Sequence, residues 1–411
     1  MKKIVFLCIA LSCTSLFSQS KENQEETDYK LGSKDQVDNQ LAQDKTSFFE
    51  FDFMKSYFDS KNKLKGKSGF DFGVDYSSVY FGATESLGDK NTGAGMVRLY
   101  GSWELVNRGS KNSGAFVYKV EHRHKYTDIT PKNFGFEIGY VGMQVPAFNE
   151  DGFRMTNFYW RQRLLDGKLS FVAGLLDATD YVDVYAYASP WTGFMNFQFS
   201  TGSQSVYIPN DAALGAAVAM YITDNIYGIA SISDAGSDPT KPWDNFNSFF
   251  ANGNYFKSLE FGYTTGKDRF FLDNIHLTFW HSDGTPVTAS LPGWGIAFSA
   301  THYFKNGIHP FLRGGYAKDG GTLLQKSLVG GFAYQTTKQG SLLGVSLGWG
   351  EVNETSFGPD LDNQITAEVF YKINFSNRFA ISPDVQYLIN PALNPTTSSI
   401  FIAGVRGRIA L

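Results

Sequence analysis

NQITAEVFYKINF, Asn363–Phe375, alternates with a period of two. Ile365, Ala367, Val369, Tyr371, Ile373 and Phe375 share one parity, and Thr366, Glu368, Phe370, Lys372 and Asn374 the other. Successive side chains of a strand point to opposite faces, so each set occupies one face. FAISPDVQYLIN, from Phe379, repeats the pattern: Ile381, Pro383, Val385, Tyr387 and Ile389 oppose Ser382, Asp384, Gln386, Leu388 and Asn390. SIFIAGVRGRIAL, from Ser399, sets Phe401, Ala403, Val405, Gly407, Ile409 and Leu411 against Ile402, Gly404, Arg406, Arg408 and Ala410. Three successive strands with a greasy face and a charged face predict a transmembrane barrel, with lipid outside and polar groups within.

Working outward from this segment, about sixteen strands are expected. They start near Phe70, Met96, Phe116, Thr156, Leu169, Leu214, Ile226, Ser258, Ile275, Gly295, His309, Gln325, Leu342, Gln364, Phe379 and Ser399. Short turns such as 166–168, 223–225, 305–307 and 376–378 alternate with longer polar loops such as 127–152, 180–212, 234–256 and 351–362. An even strand count with short turns on one side and long loops on the other fits an all-β, antiparallel outer-membrane barrel over residues 68–411. A lysine or arginine facing lipid at mid-bilayer costs roughly 2–4 kcal/mol. The charged parity is therefore the lumen, and a bore of this strand number is expected to be polar and open.

The remainder of the chain is read as export machinery and an arm. Lys2 and Lys3 precede the apolar run Ile4–Leu11 and a small, polar stretch to Ser20, which predicts a secretory signal over 1–18. Both cysteines, Cys8 and Cys13, fall within it; Cys13 as a lipidated residue is the less favoured alternative. The mature chain then has no disulfide and no cysteine metal site. Residues 19–67 read as a flexible periplasmic arm. It ends in a short amphipathic helix whose Phe and Tyr side packs on the inner end of the barrel, ahead of Lys61, Lys63, Lys65 and Lys67.

Composition excludes several classes. Aromatics are 16%, charged residues only 18%, and glycines number 42, while no apolar stretch reaches the length of a membrane helix. Formal charge is −4, becoming −6 once Lys2 and Lys3 are removed, so nothing points to nucleic acid. No cofactor or metal is implied. His122 and His124 share an outward face near the rim, and the clusters Asp177, Asp180, Asp183 and Asp360, Asp362 lack calcium-loop spacing, so solvated carboxylates are expected. Gly344–Gly348 (GVSLG) matches a nucleophile elbow but lies in an alternating strand rather than a strand-to-helix turn.

Several stretches then carry a likeness: LSFVAGLLDATDYVD from Leu169, IYGIASISDAGSD from Ile226, YFKSLEFGY from Tyr255, PDVQYLINPALNP from Pro383 and IAGVRGRIAL from Ile402. Together, over about Phe48–Leu411, the chain resembles the carbohydrate-selective porin family of the OprB type. The resemblance implies a sixteen-stranded bacterial outer-membrane barrel that passes glucose and related sugars, with arginines and acids at its constriction. One departure is the terminus, Leu411, where such barrels commonly end in Phe.

The expected channel lining follows from parity. Tyr159, Arg161 and Arg163 share one face of the fourth strand, and Lys119, Glu121 and Arg123 on the preceding strand are expected beside them. Glu260, Glu368, Asp384, Arg406 and Arg408 complete a lining of mixed sign, which suits a neutral polyhydroxyl because hydroxyls both donate and accept. The alternative is that these charges pair with one another. The loop from Tyr181 to Asn210, with Trp191 and Phe194, is long enough to enter the bore. It is expected as an aromatic constriction, with a plug packed against the wall as the alternative.

The expected function is passive diffusion of small carbohydrates. The expected partners are those sugars, outer-membrane lipid and lipopolysaccharide, and further copies of the chain in a trimer, unless it stays a monomer. The rivals are a general-diffusion porin, a barrel enzyme and a structural surface barrel. Only about fifty residues precede the first strand, too few for the plug domain of an energised transporter.

Overall fold

The structure, a computed structural model, describes residues 29–32, 51–337 and 339–411. The expected signal over 1–18 and most of the expected arm lie outside these residues. The strands are β1 (Phe70–Ala83), β2 (Asn91–Val106), β3 (Gly114–Lys125), β4 (Gly152–Leu164), β5 (Leu169–Leu176), β6 (Ala213–Tyr221), β7 (Ile226–Asp234) and β8 (Tyr255–Thr264). They continue as β9 (Asn274–Ser282), β10 (Gly293–Thr301), β11 (Ile308–Asp319), β12 (Leu324–Gln335), β13 (Leu342–Val352), β14 (Gln364–Asn374), β15 (Phe379–Ile389) and β16 (Ser399–Ala410). Each pairs antiparallel with its sequence neighbours. β1 closes on β16 in a register running from Asp75↔Ala410 to Ala83↔Ile402, so the sheet is a closed sixteen-stranded barrel with no free edge.

The period-two pattern fixes which face is which. Val97, Leu99, Leu277, Leu347, Val369, Val385 and Val405 are exposed on the outer wall. Arg98, Glu121, Glu260, Glu368, Asp384 and Arg406 point inward and are buried. An apolar exterior of this extent matches the lipid-facing band of a membrane barrel. Among the described residues no helix is long and apolar enough to cross a membrane.

Helix α1 (Lys55–Ser68) lies at the short-turn end and buries no residue. It stops at Gly69, whose φ of +74° and N–H bond to Lys65 O (2.8 Å) form a left-handed cap. A Cβ there would collide with Glu104 O. Tyr57 packs edge-on against the outward ring of Phe72, Arg378 of the β14–β15 turn sits 3.3 Å above the Phe58 ring, and Lys61 Nζ donates to Leu411 O at 3.0 Å. The helix thus grips the rim around the end of β16.

The interior departs from the open polar bore expected from strand number. Two long loops fold into it: 126–151, which carries helix α2 (Pro131–Glu137), and 177–212. They join each other through Val145 N–H to Met195 O (2.7 Å), Phe197 N–H to Met143 O (2.9 Å) and a bridge of Gln144 to Asn196. Tyr140, Phe148, Tyr181, Tyr185, Tyr187 and Phe199 are all buried. Such loops can leave water only if their backbone groups find partners inside, and the inward polar side chains supply them.

Candidate functional site

Within loop 177–212 some rings pack on the barrel wall and some line a cavity, Phe194 doing both. Tyr185, Tyr187 and Phe199 pack against the wall: Tyr185 on Phe311 at 5.6 Å, and Tyr187 bonded through its hydroxyl to His309 Nδ1 at 2.7 Å. These rings act as packing. Trp191, Phe194, Phe197 and Tyr207 line a cavity of about 370 Å³, with Phe194 also packed on Phe311 and Phe370 of the wall. A volume of that order falls in the range of small-molecule sites.

The cavity lining combines charged and apolar groups. Lys119, Glu121 and Arg123 of β3 contribute charge to it with Asp177 and Asp211. Lys119 Nζ is 3.6 Å from Asp177, Arg123 Nε donates to Glu121 at 2.8 Å, and Arg123 Nη2 donates to Asp211 at 3.0 Å. Arg154 of β4 braces Asp211 from behind at 2.8 Å and also pairs with Asp151. Met143, Val145, Pro146, Pro190, Trp191, Phe194 and Met195 also line it. The Trp191 ring is held by the Arg98 guanidinium 3.9 Å away, and Arg98 is fixed by Asp75, which also accepts from Arg408 Nε at 3.1 Å. Donors and acceptors together with apolar and aromatic groups in one lining suit a molecule that carries both hydroxyls and an apolar face.

The other inward charges hold the loop in place. Glu368 accepts from Met195 N–H (2.6 Å) and Asn196 N–H (2.8 Å), and Arg406 donates to Pro190 O (2.8 Å) and Gly193 O (3.0 Å). Asp384 accepts from Gln386 at 3.0 Å. Glu260 accepts from Asp183 N–H (3.0 Å), Thr278 (2.8 Å) and Tyr227 (3.1 Å). Asp183 is the hub. Its carboxylate meets His276 Nε2 at 2.8 Å, Gly202 N–H at 2.7 Å and the Arg313 guanidinium, which also donates to Asp183 O (2.9 Å) and Ser200 O (2.7 Å). Burial alone would raise the Asp183 carboxyl, but Arg313 and His276 hold it below its ordinary value.

Placement differs from expectation in three respects. Arg161 and Arg163 are not beside Lys119, Glu121 and Arg123: Arg161 pairs with Ala115, while Lys119 pairs with Asn157. That is four residues along the strand, roughly 13 Å. The two arginines lie toward the short-turn end, with the Tyr159 hydroxyl donating to Gly32 O at 3.0 Å. Second, Glu260, Glu368, Asp384, Arg406 and Arg408 point inward but bond to loops or to other charges instead of facing open bore. Third, Asp177, Asp180 and Asp183 are buried and bonded rather than solvated: Asp177 caps Thr179 N–H at 3.0 Å and Asp180 accepts from Asn157 at 3.1 Å.

Arg313, His276, Arg154 and Asp211 are site residues that the sequence reading does not single out, and it takes Asp183 only for a solvated carboxylate. Arg313 alternates with outward Leu312, so parity could have found it. Arg154 could not be found that way, because the β3–β4 register shifts between Lys119 and Val120. The extra residue reverses parity across the bulge. Ser346 lies within β13, its hydroxyl donating to Gly330 O (3.2 Å), in a strand rather than at a strand-to-helix turn.

The comparisons agree with this architecture. The family model for carbohydrate-selective porin, OprB family, matches residues 283–411. That span includes the stretches from Pro383 and Ile402; those from Leu169, Ile226 and Tyr255 lie outside it. The high-pH structure of Pseudomonas putida OprB superposes with a TM-score of 0.67 at 14% identity, covering 87% of this chain and 97% of that one. The low-pH structure of the same protein gives 0.52 at 11% identity, covering 90% and 100%. No curated protein matches the chain. Residues 283–411 are thus similar to the carbohydrate-selective porins of the OprB family, and the barrel shares the fold of the Pseudomonas putida OprB structure over most of its length.

Proposed function

We propose that the chain is a passive channel of the bacterial outer membrane for small neutral carbohydrates, glucose-like sugars among them. These cross by diffusion between the β3 wall and loop 177–212. The observation that carries the reading is the cavity whose lining combines Lys119, Glu121 and Arg123 with Trp191 and Phe194. A lining of one sign would favour ions; paired opposite charges present donors and acceptors to hydroxyls without a net field. The family and the fold are those of channels, and the Lys2–Ser20 signal pattern supports export.

Single-channel conductance of the refolded protein, titrated with glucose, maltose and a charged solute, tests it. Neutral sugar is expected to block the current in a concentration-dependent way. Arg123→Lys keeps the charge but loses the two-pronged geometry, and the half-blocking concentration is expected to rise about tenfold, the loss of one charge-assisted hydrogen bond. Trp191→Ala is expected to act in the same direction. Current that no sugar perturbs would leave a general-diffusion porin; no current would return the structural-barrel and enzyme rivals.

A further inference from the structure

Residues Tyr29–Gly32, far from the barrel in sequence, are docked inside its short-turn end. The Tyr29 ring stacks on Phe270 with centroids 3.7 Å apart and planes 10° from parallel. Its N–H donates to Lys267 O at 3.0 Å, in the β8–β9 connection. Leu31 is buried, and Gly32 O accepts from the Tyr159 hydroxyl at 3.0 Å. The segment therefore runs from the β8–β9 turn to β4, beneath loop 177–212, beside Arg161 and Arg163. Gly32 is required twice over. Its φ is +77°, and a Cβ there would meet Tyr159 Oη at 2.5 Å.

We propose that Tyr29–Gly32 is a detachable strap that narrows the exit of the pore at the short-turn end. Among the described residues the segment is short and takes no part in the strand ladder; the Tyr29 ring on Phe270 and Phe271, the buried Leu31 and two main-chain hydrogen bonds hold it. Against this hold stands Lys30, half-buried next to Arg161 and Arg163. A contact of this size is reversible on the timescale of a terminal segment, and the strap leaves the sixteen-strand ladder untouched when it lets go. The inference rests on the porin reading.

The test uses the mature full-length protein, refolded, with Gly32→Ala as the releasing variant and Tyr29→Phe, which keeps the ring stack, as the control. Two readouts are taken: tryptic cleavage after Lys30 in the folded barrel, and open-channel conductance. An alanine forced into left-handed backbone shifts docking by roughly tenfold or more. Gly32→Ala is therefore expected to be cut after Lys30 about tenfold faster than the parent protein and to carry more current, while Tyr29→Phe behaves like the parent. Faster cleavage with unchanged current would overturn the narrowing role. Unchanged cleavage and unchanged current would overturn the strap altogether. An absence of current from parent and variants alike would sink the porin reading itself, and cleavage would then report on docking alone.

Discussion

Arg313 and Asp183 decide whether loop 177–212 stays inside the barrel. Arg313 is fully buried, and its guanidinium serves the Asp183 carboxylate, two loop carbonyls and the face of the Tyr185 ring at 3.8 Å. Replacing a buried ion pair with apolar groups can be neutral, but removing one partner strands the other charge at a cost of about 3–5 kcal/mol. Arg313→Met is therefore expected to free the loop, raising conductance and weakening sugar block while the barrel still folds. Adding Asp183→Asn to Arg313→Met is expected to recover part of that loss, and a double-mutant cycle of barrel stability measures the coupling. The pH sign follows from the carboxylate. Its value is depressed in the folded state, so the latch contributes fully above the ordinary value of 3.8 and is lost as pH falls through the folded value. Conductance is expected to hold from neutral pH down to that region and to rise only in stronger acid.

At the level of elements, the strands were legible and the segments between them were not. The expected starts at Leu169, Ile226, Leu342, Gln364, Phe379 and Ser399 coincide with the observed ones because period-two alternation is a local property of the chain. The β4 bulge escaped, since one inserted residue leaves composition unchanged while reversing the face of Arg154. Loop packing escaped for a different reason: whether Tyr187 meets a sugar or His309 depends on contacts more than a hundred residues apart. The strap lies in a stretch whose polar composition reads as an arm, and only Tyr29 and Leu31, either side of a lysine, hint at docking. Lys30 gives the strap a pH dependence. Burial pushes its amine down from 10.5 to about 8, helped by Arg161 and Arg163 of β4 and Lys65 of α1, with Glu104 of β2 opposing. The docked state therefore disfavours the proton. Docking is weakest below about pH 8 and strengthens as pH rises from there toward 10.5. Tryptic cleavage after Lys30 removes the group being titrated, so conductance is the better readout. Current is expected to fall between pH 8 and 10, and Lys30→Met is expected to show the low current already at pH 7 and to lose the trend.

For the whole molecule, the question is what the outer wall is made to face. A closed barrel satisfies every strand N–H and C=O internally, which lets it sit in hydrocarbon. The side chains must then follow depth, apolar at mid-wall and tolerant near the rims. Leu347 is at the middle of β13 and 60% exposed, with Ile365 and Val369 among its outward neighbours on β14. Ile226 is also exposed but opens β7, next to the 222–225 turn at the rim. If the wall faces lipid, an arginine at the two sites has very different consequences. Leu347→Arg is expected to cost about 2–4 kcal/mol and Ile226→Arg about 0–1 kcal/mol, read as unfolding free energies from reversible denaturation in lipid vesicles. A wall that faced water would tolerate both changes equally, because an exposed leucine exchanged for arginine in solvent moves stability by a few tenths of a kcal/mol. The difference between the two variants, rather than either value alone, therefore measures the membrane around this barrel.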